Sequence, residues 1–195
     1  MVSNIQDGLK EIQVLRQAGE HSNIVKFLDC YLLQDKIHIA FELSPLGSLY
    51  DYSKKCREAG QPLAERTIVK WMYQVALGMQ HLHKKDIYHR DLTPLNVLLF
   101  EADVVKICDL GISKKVIKDK TAAKTAIGNE RFWAPEILSH KPYTSAVDVW
   151  NFASMLYFLC TNKTTVTSED LNDTEDTLIT AVRLKVKPQI GDEYS

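Results

Sequence analysis

Apolar positions along the chain fall into segments with two distinct periods. From Asp7 to Ala18, Leu9, Ile12 and Leu15, with Val14 beside them, recur at helical spacing. Asp7 is placed to cap that helix and Gly19 to stop it. Two extended runs follow, Val25 to Leu33 and Lys36 to Leu43, and the short Gln34-Asp35 link predicts a hairpin. Pro45-Leu46-Gly47-Ser48 reads as a turn. Leu49 to Ala59 reads as a short helix. Leu63 to His83 reads as a long one, with Ile68, Trp71, Met72, Val75, Met79 and Leu82 on one face. Val97 to Phe100 and Val104 to Cys108 are short strands around an acidic turn. Ser113 to Arg131 is polar, rich in Lys and Thr, and reads as a loop; a loop of that length is usually functional or disordered. Val147 to Cys160 is apolar nearly all round, which predicts a buried central helix. Thr161 to Thr177 is polar and acidic, and Leu178 to Leu184 is expected to form one last short helix.

The order of helix, hairpin, then helices around a small two-strand insert is a mixed α and β pattern. With 45% hydrophobic residues in 195, the chain can bury a sizeable core, and its length suits one or two domains. Its net charge of -1 gives no electrostatic argument for nucleic acid or a membrane surface. Cys30, Cys56, Cys108 and Cys160 form no C-x-x-C pair, so zinc and thioredoxin chemistry find no support. Reduced thiols of a cytoplasmic protein are the simpler reading. Residues 1–10 lack a basic and apolar leader, and Val147 to Cys160 is too short to span a bilayer.

Three short motifs carry chemistry: His89-Arg90-Asp91-Leu92-Thr93-Pro94-Leu95-Asn96, then Asp109-Leu110-Gly111, then Ala134-Pro135-Glu136. Each alone is a common turn sequence. In this order and at these places they resemble the catalytic loop, metal-binding turn and following segment of protein kinases. The resemblance covers nearly the whole chain, and Pro94 favours the serine/threonine type, nearest to the tyrosine-kinase-like group. It implies an α+β, two-lobed protein kinase-like fold. The small lobe would be incomplete, a helix plus hairpin over about 1–43. The large lobe over 44–195 would be mostly helical and lack its last helices. The implied chemistry is transfer of the ATP γ-phosphoryl group to Ser or Thr of a protein substrate, with Mg²⁺.

The roles carry over position by position. Asp91 would accept or orient the substrate hydroxyl proton. Asn96 and Asp109 would hold magnesium through oxygen, and Arg90 would pair with an activation-segment phosphate. Phe41 matches the gatekeeper, Glu42, Leu43 and Ser44 the hinge that meets adenine, and Leu98 the floor of the purine pocket. Cys108 would face the phosphate end of that pocket, although a buried small hydrophobe is its simpler reading. Glu11 matches the helix glutamate that pairs a strand lysine. Leu15, Phe27, His89 and Leu110 match the stack joining the lobes. Asp148-Val149-Trp150 matches the start of the central helix, whose Asp holds the catalytic loop. Thr121 and Thr125 are candidate phosphosites, balanced against ordinary polar loop. His81 and His83 lie two apart on different helix faces, which argues against a shared metal.

The pattern is also broken in places. No Gly-rich loop and no lysine on a strand ahead of the first helix occur in these residues, and Lys10 shares a helix with Glu11. Thr93 stands where serine/threonine kinases usually have a lysine, and Asn129 where they usually have a threonine. Lys187-Pro188-Gln189-Ile190 resembles the segment before the family's last helices, and no arginine follows to pair Glu136. The expectation is a kinase domain truncated at both ends with weak or no catalysis of its own. The alternative is an inactive pseudokinase or fragment acting as a protein-binding module.

Overall fold

The structure is a computed structural model that describes residues 5–110, 114–115, 130–138 and 144–165. The expectations for Thr121, Thr125, Asn129, Leu178 to Leu184 and Lys187 to Ile190 lie outside these residues. Helix α1 (Ile5–Ala18) turns Ile12, Leu15 and Ala18 inward, whereas Leu9, one turn earlier in the same apolar period, is 51% exposed. It starts earlier than expected, so Asp7 lies inside the first turn and is not its cap. Gly19, with φ +63°, ends it, and its N–H donates to the Leu15 carbonyl at 3.1 Å.

Strands β1 (Phe27–Leu33) and β2 (Lys36–Phe41) form the expected antiparallel hairpin, with Tyr31 opposite His38 and Leu33 opposite Lys36. Gln34 and Asp35 both take positive φ, which suits a two-residue hairpin turn to the strand twist. Helix α2 (Leu49–Glu58) is capped by Ser48, whose Oγ accepts the Asp51 N–H at 3.1 Å and donates to the Asp51 carboxylate at 2.6 Å. Helix α3 (Glu65–His83) buries the predicted face of Ile68, Trp71, Met72, Val75, Met79 and Leu82. Strand β3 (Ile87–Tyr88) follows. A 3-10 turn at Pro94–Asn96 leads into β4 (Val97–Phe100), which pairs antiparallel with β5 (Val104–Ile107).

β6 (Lys114–Lys115) pairs with β3, Tyr88 opposite Lys114. This corrects the loop expectation at those two residues, where backbone pairing outweighs the polar side chains. A 3-10 turn at Glu130–Phe132 and the short helix α4 (Pro135–Leu138) precede α5 (Ala146–Thr161). α5 also departs from expectation. Val147, Met155, Phe158 and Leu159 are buried, but so are Asp148, Asn151 and Ser154, while Val149 is 59% exposed. Its buried face therefore carries polar groups with work to do. Asn151 Nδ2 donates to the Phe132 carbonyl at 2.9 Å, and Thr165 Oγ1 donates to Ser154 Oγ at 3.2 Å. Among the described residues the strands form three two-stranded sheets. The largest core cluster joins α2, α3, β4, β5 and α5 through Leu49, Trp71, Val75, Leu99, Val105, Met155 and Leu159.

The loop between α1 and β1 is pinned to this core by main-chain pairing. Val25 N–H donates to the Ile107 carbonyl at 2.8 Å and Ile107 N–H to the Asn23 carbonyl at 2.9 Å. Asn23 is buried, and its Nδ2 donates to the Val105 carbonyl at 3.0 Å and to Gln74 Oε1 at 3.1 Å. Gln74 Oε1 also accepts the Val105 N–H at 3.0 Å. Gly78 lets this approach happen, because a Cβ there would lie 2.9 Å from the Asn23 carbonyl. The helix and hairpin at the start of the chain are thereby held against the edge of β5, two residues ahead of Asp109.

Candidate active site

The loop from His89 to Asn96 is built around two buried side chains, one on each side. Asp148, in the first turn of α5, lies under it. Its Oδ2 accepts the His89 N–H at 2.9 Å and its Oδ1 accepts the Arg90 N–H at 2.7 Å. His83, at the end of α3, adds a third contact, its Nε2 at 2.7 Å from Asp148 Oδ2. Burial opposes the charge on Asp148, but the hydrogen bond from His83, the electrostatic influence of the His89 ring and the backbone hydrogen bonds from Arg90 and His89 together outweigh it. They hold the carboxyl below its ordinary range. Arg90 needs such support, because its φ of 72° is in the left-handed region that a side-chain-bearing residue rarely enters. Burial also pushes the Arg90 guanidinium down, with the Asp148 charge working the other way.

His89 closes the other side. It is buried, its Nδ1 accepts the Asp91 N–H at 3.3 Å, and its Nε2 meets the Cys108 carbonyl at 2.9 Å. With Nδ1 an acceptor, the proton is assigned to Nε2, so the imidazole bridges the loop to the residue before Asp109. A second bridge is main-chain, from the Cys108 N–H to the Asn96 carbonyl at 2.9 Å.

Asp91 and Asn96 face each other within the loop. Asn96 Nδ2 donates to the Asp91 carbonyl at 2.8 Å and to Asp91 Oδ2 at 3.0 Å. The amide nitrogen is thus used up in fixing the carboxylate, which leaves Asn96 Oδ1 as the atom suited to a hard cation. Asp109 is exposed and has φ 60°, while Leu110 beside it is buried. That backbone turn directs Leu110 into a cluster with Leu15, Ile24, Leu82 and Ile87, against which Phe27 and Phe41 pack. Three of the four residues expected in the lobe-joining stack, Leu15, Phe27 and Leu110, therefore meet. Glu11, one turn before Leu15, is near enough to Asp109 to feel its charge. Burial first, then Asp109, raises its carboxyl above the ordinary range. Cys108 is pushed up to about 12, first by burial and then by Asp109, so it is an unreactive thiol.

The expected hinge is more occupied than its sequence suggests. The Glu42 carboxylate points away to Lys106 Nζ, at 2.6 and 2.7 Å, and accepts the Lys26 N–H at 2.7 Å. Its own N–H donates to the Lys26 carbonyl at 3.0 Å. Ser44 Oγ donates to the Leu99 carbonyl at 2.6 Å. Both side chains are thus engaged within the chain itself. Leu98 is half-buried and sits in a bridge with Ser48, opposite Lys106 in the β4–β5 pair. Thr93, where a lysine was expected, is buried, and its hydroxyl has no hydrogen-bond partner among the described residues.

Sequence reasoning assigned no role to His83 or Lys106. His83 was visible only as a polar residue closing an apolar helix six positions before the loop. Lys106 was visible as a cation inside a strand otherwise made of Val and Ile, a position that asks for a carboxylate partner.

Residues 2–194 match the protein kinase domain. The chain is 35% identical over 164 residues to the serine/threonine-protein kinase Nek4 of Mus musculus, covering 84% of this chain and 20% of that protein. It is 34% identical over 187 residues to Nek8 of Danio rerio, covering 95% and 26%. It is 34% identical over 155 residues to a probable myosin light chain kinase of Dictyostelium discoideum, covering 78% and 48%. The chain thus spans between a fifth and about half the length of these relatives. With the match running almost from end to end, and with the loop, turn and helix residues placed as described, the chain belongs to the protein kinase family.

Proposed function

We propose that this chain carries the catalytic-loop side of a serine/threonine protein kinase, which transfers the ATP γ-phosphoryl group to a hydroxyl of a protein substrate. The observation that carries the reading is the pair formed by Asp91 and Asn96, with Asp109 tied to the same loop through Cys108. In-line phosphoryl transfer needs an oriented acceptor for the nucleophile's proton and neutralisation of phosphate charge. Asp91 takes the first role. Asn96 Oδ1 and the Asp109 carboxylate form an oxygen donor set suited to Mg²⁺, which supplies charge neutralisation at the phosphates when bound. Adenine would meet the backbone of Glu42 to Ser44, with Phe41 behind it and Leu98 beneath. Arg90 would answer a phosphate on the activation segment, for which Thr121 and Thr125 are the candidates. The two-lobed arrangement, with the small lobe ending near residue 43, and the place nearest the tyrosine-kinase-like group belong to the same proposal.

A second reading, an inactive protein-binding module, is favoured by Thr93. The position expected to steady the γ-phosphate holds a buried, uncharged hydroxyl. The test is incorporation of labelled phosphate from Mg-ATP into a mixed Ser/Thr peptide substrate, with Asp91→Asn as the control. Incorporation that falls by about 100-fold or more with Asp91→Asn supports the kinase reading, as expected for loss of a positioned base. Nucleotide binding without incorporation, the same in both proteins, supports the binding module.

A further inference from the structure

The corner where α1 meets β1 gathers two imidazoles and an ammonium around one carbonyl. Ala18, the last residue of α1, has its carbonyl oxygen 2.7 Å from Lys85 Nζ and 2.7 Å from His81 Nε2. A carbonyl only accepts, so His81 carries its proton on Nε2. The His21 ring lies against that of His81, with centroids 4.6 Å apart and planes tilted by 34°. His21 Nδ1 accepts the Asn23 N–H at 3.1 Å. That contact fixes the charge state, because a protonated His21 would carry hydrogen on Nδ1 and aim it at the Asn23 N–H.

The surroundings do not offset such a charge. From α3 and the turn after it, His81 and Lys85 face the ring. Arg16 of α1, Lys26 ahead of β1 and Lys106 of β5 line a cavity of about 510 Å³ that His21 also lines, together with Glu20. Glu20 is paired with Lys26 at 3.0 Å, and the Glu42 carboxylate is held by Lys106 at 2.6 Å. Burial, then His81 and Lys85, holds the imidazolium of His21 below the ordinary range.

Asn23 makes this local chemistry consequential. It is the buried residue whose side chain reaches Gln74 and the Val105 carbonyl, and whose own carbonyl receives the Ile107 N–H. We propose that His21 is a proton-sensitive latch: protonation breaks its acceptor contact with Asn23 and loosens the loop that seats α1 on α3 and β5. α1 bears Glu11 and Leu15, so the device would couple acidity to the helix facing Asp109. The direction follows from the lowered folded pKa. The latch is closed above the unfolded-state value of about 6.5 and opens as pH falls through the lower folded value.

The test is the ¹⁵N–¹H spectrum of the full 195-residue chain from pH 7.5 to 5, read at the Asn23 amide, beside the melting temperature. His21→Asn is the diagnostic variant, because its Oδ1 can accept the same N–H and cannot protonate. The expected result is an Asn23 amide that shifts on acidification together with a fall in melting temperature, both flattened in His21→Asn. An Asn23 amide that stays fixed down to pH 5, or one that moves equally in His21→Asn, overturns the proposal. If the variant does not fold, the His21 ring titration in the native chain decides. A ring titrating at or above the ordinary value, with no matching movement of Asn23, overturns the latch; a lower midpoint shared by both supports it.

Discussion

Asp148 and Glu11 show how one functional group, the carboxylate, acquires opposite electrostatics in two neighbouring settings. Asp148 is buried, yet it keeps its charge because two backbone N–H groups and His83 point at it. Removing it leaves those donors facing an empty buried space. Asp148→Ala should therefore cost about 3 to 5 kcal/mol, the scale for breaking a buried charged network. That lowers the melting temperature by roughly 6 °C or more. A loss near that of a surface substitution in calorimetry would contradict the geometry. The sign for pH follows as well. The folded pKa of Asp148 is lowered, so its contribution is present above the unfolded value of about 3.9 and disappears as pH falls through the folded one. Glu11 has the reverse sign. Its folded pKa is raised, so ionisation at neutral pH costs stability and protonation relieves the cost. Glu11→Gln should raise stability at pH 7 by less than about 1 kcal/mol, given its partial exposure. The gain should vanish below about pH 4, where the unfolded glutamate is also protonated. A melting curve pair at pH 7 and pH 4 checks both the sign and the window.

Among elements, the closest fit is α3 against the α1–β1 loop. Gly78 is a poor helix former placed mid-helix, and the reason is the Asn23 carbonyl and Ile107 side chain that crowd its face. Gly78→Ala gains about 1 kcal/mol of helix propensity. It should still lower stability by about 1 to 3 kcal/mol, because the carbonyl it meets belongs to the pinned backbone. A melting temperature that rises would show the loop to be yielding. The elements themselves were largely legible in the sequence. The face of α3 and the β4–β5 pair follow from period, since each buries one side only, while the largely exposed β1–β2 hairpin follows from its two extended runs and short link. What the sequence hid had a common cause. β3 and β6 are two residues each and held by backbone pairing, so they leave no side-chain period. α5 looked buried on all sides, because its composition is apolar, yet its inward face uses Asp148, Asn151 and Ser154. The partners that make those polar residues necessary lie outside the helix, from 11 to 65 positions away. The motif residues Asp91, Asn96 and Asp109 were legible as types at a spacing. The supports from His83 and Lys106 were not, because each acts on a partner more than 60 positions distant.

For the molecule as a whole, among the described residues the first helix and the hairpin meet the later helices and strands along a seam. That seam consists of the bridge from Ile24 to Ile107, the Asn23–Gln74 contacts, the ion pair of Glu42 with Lys106 and the cluster of Leu15, Phe27 and Leu110. The proposed nucleotide site would lie on it, with the proposed hinge on one side and Asp91, Asn96 and Asp109 on the other. Binding there should tie the two sides together and stabilise the fold by mass action, about 2.7 kcal/mol at a ligand concentration 100 times its Kd. The stabilisation should need the metal, since the carboxylates alone repel phosphate. The most direct measurement is the melting temperature of the chain with Mg-ATP, with ATP plus a chelator, and with Mg-ATP on Asp109→Asn. The account predicts a rise with Mg-ATP that increases with concentration, and its loss with chelator or with Asp109→Asn. A melting temperature unmoved by millimolar Mg-ATP, or a rise that Asp109→Asn leaves intact, would contradict it.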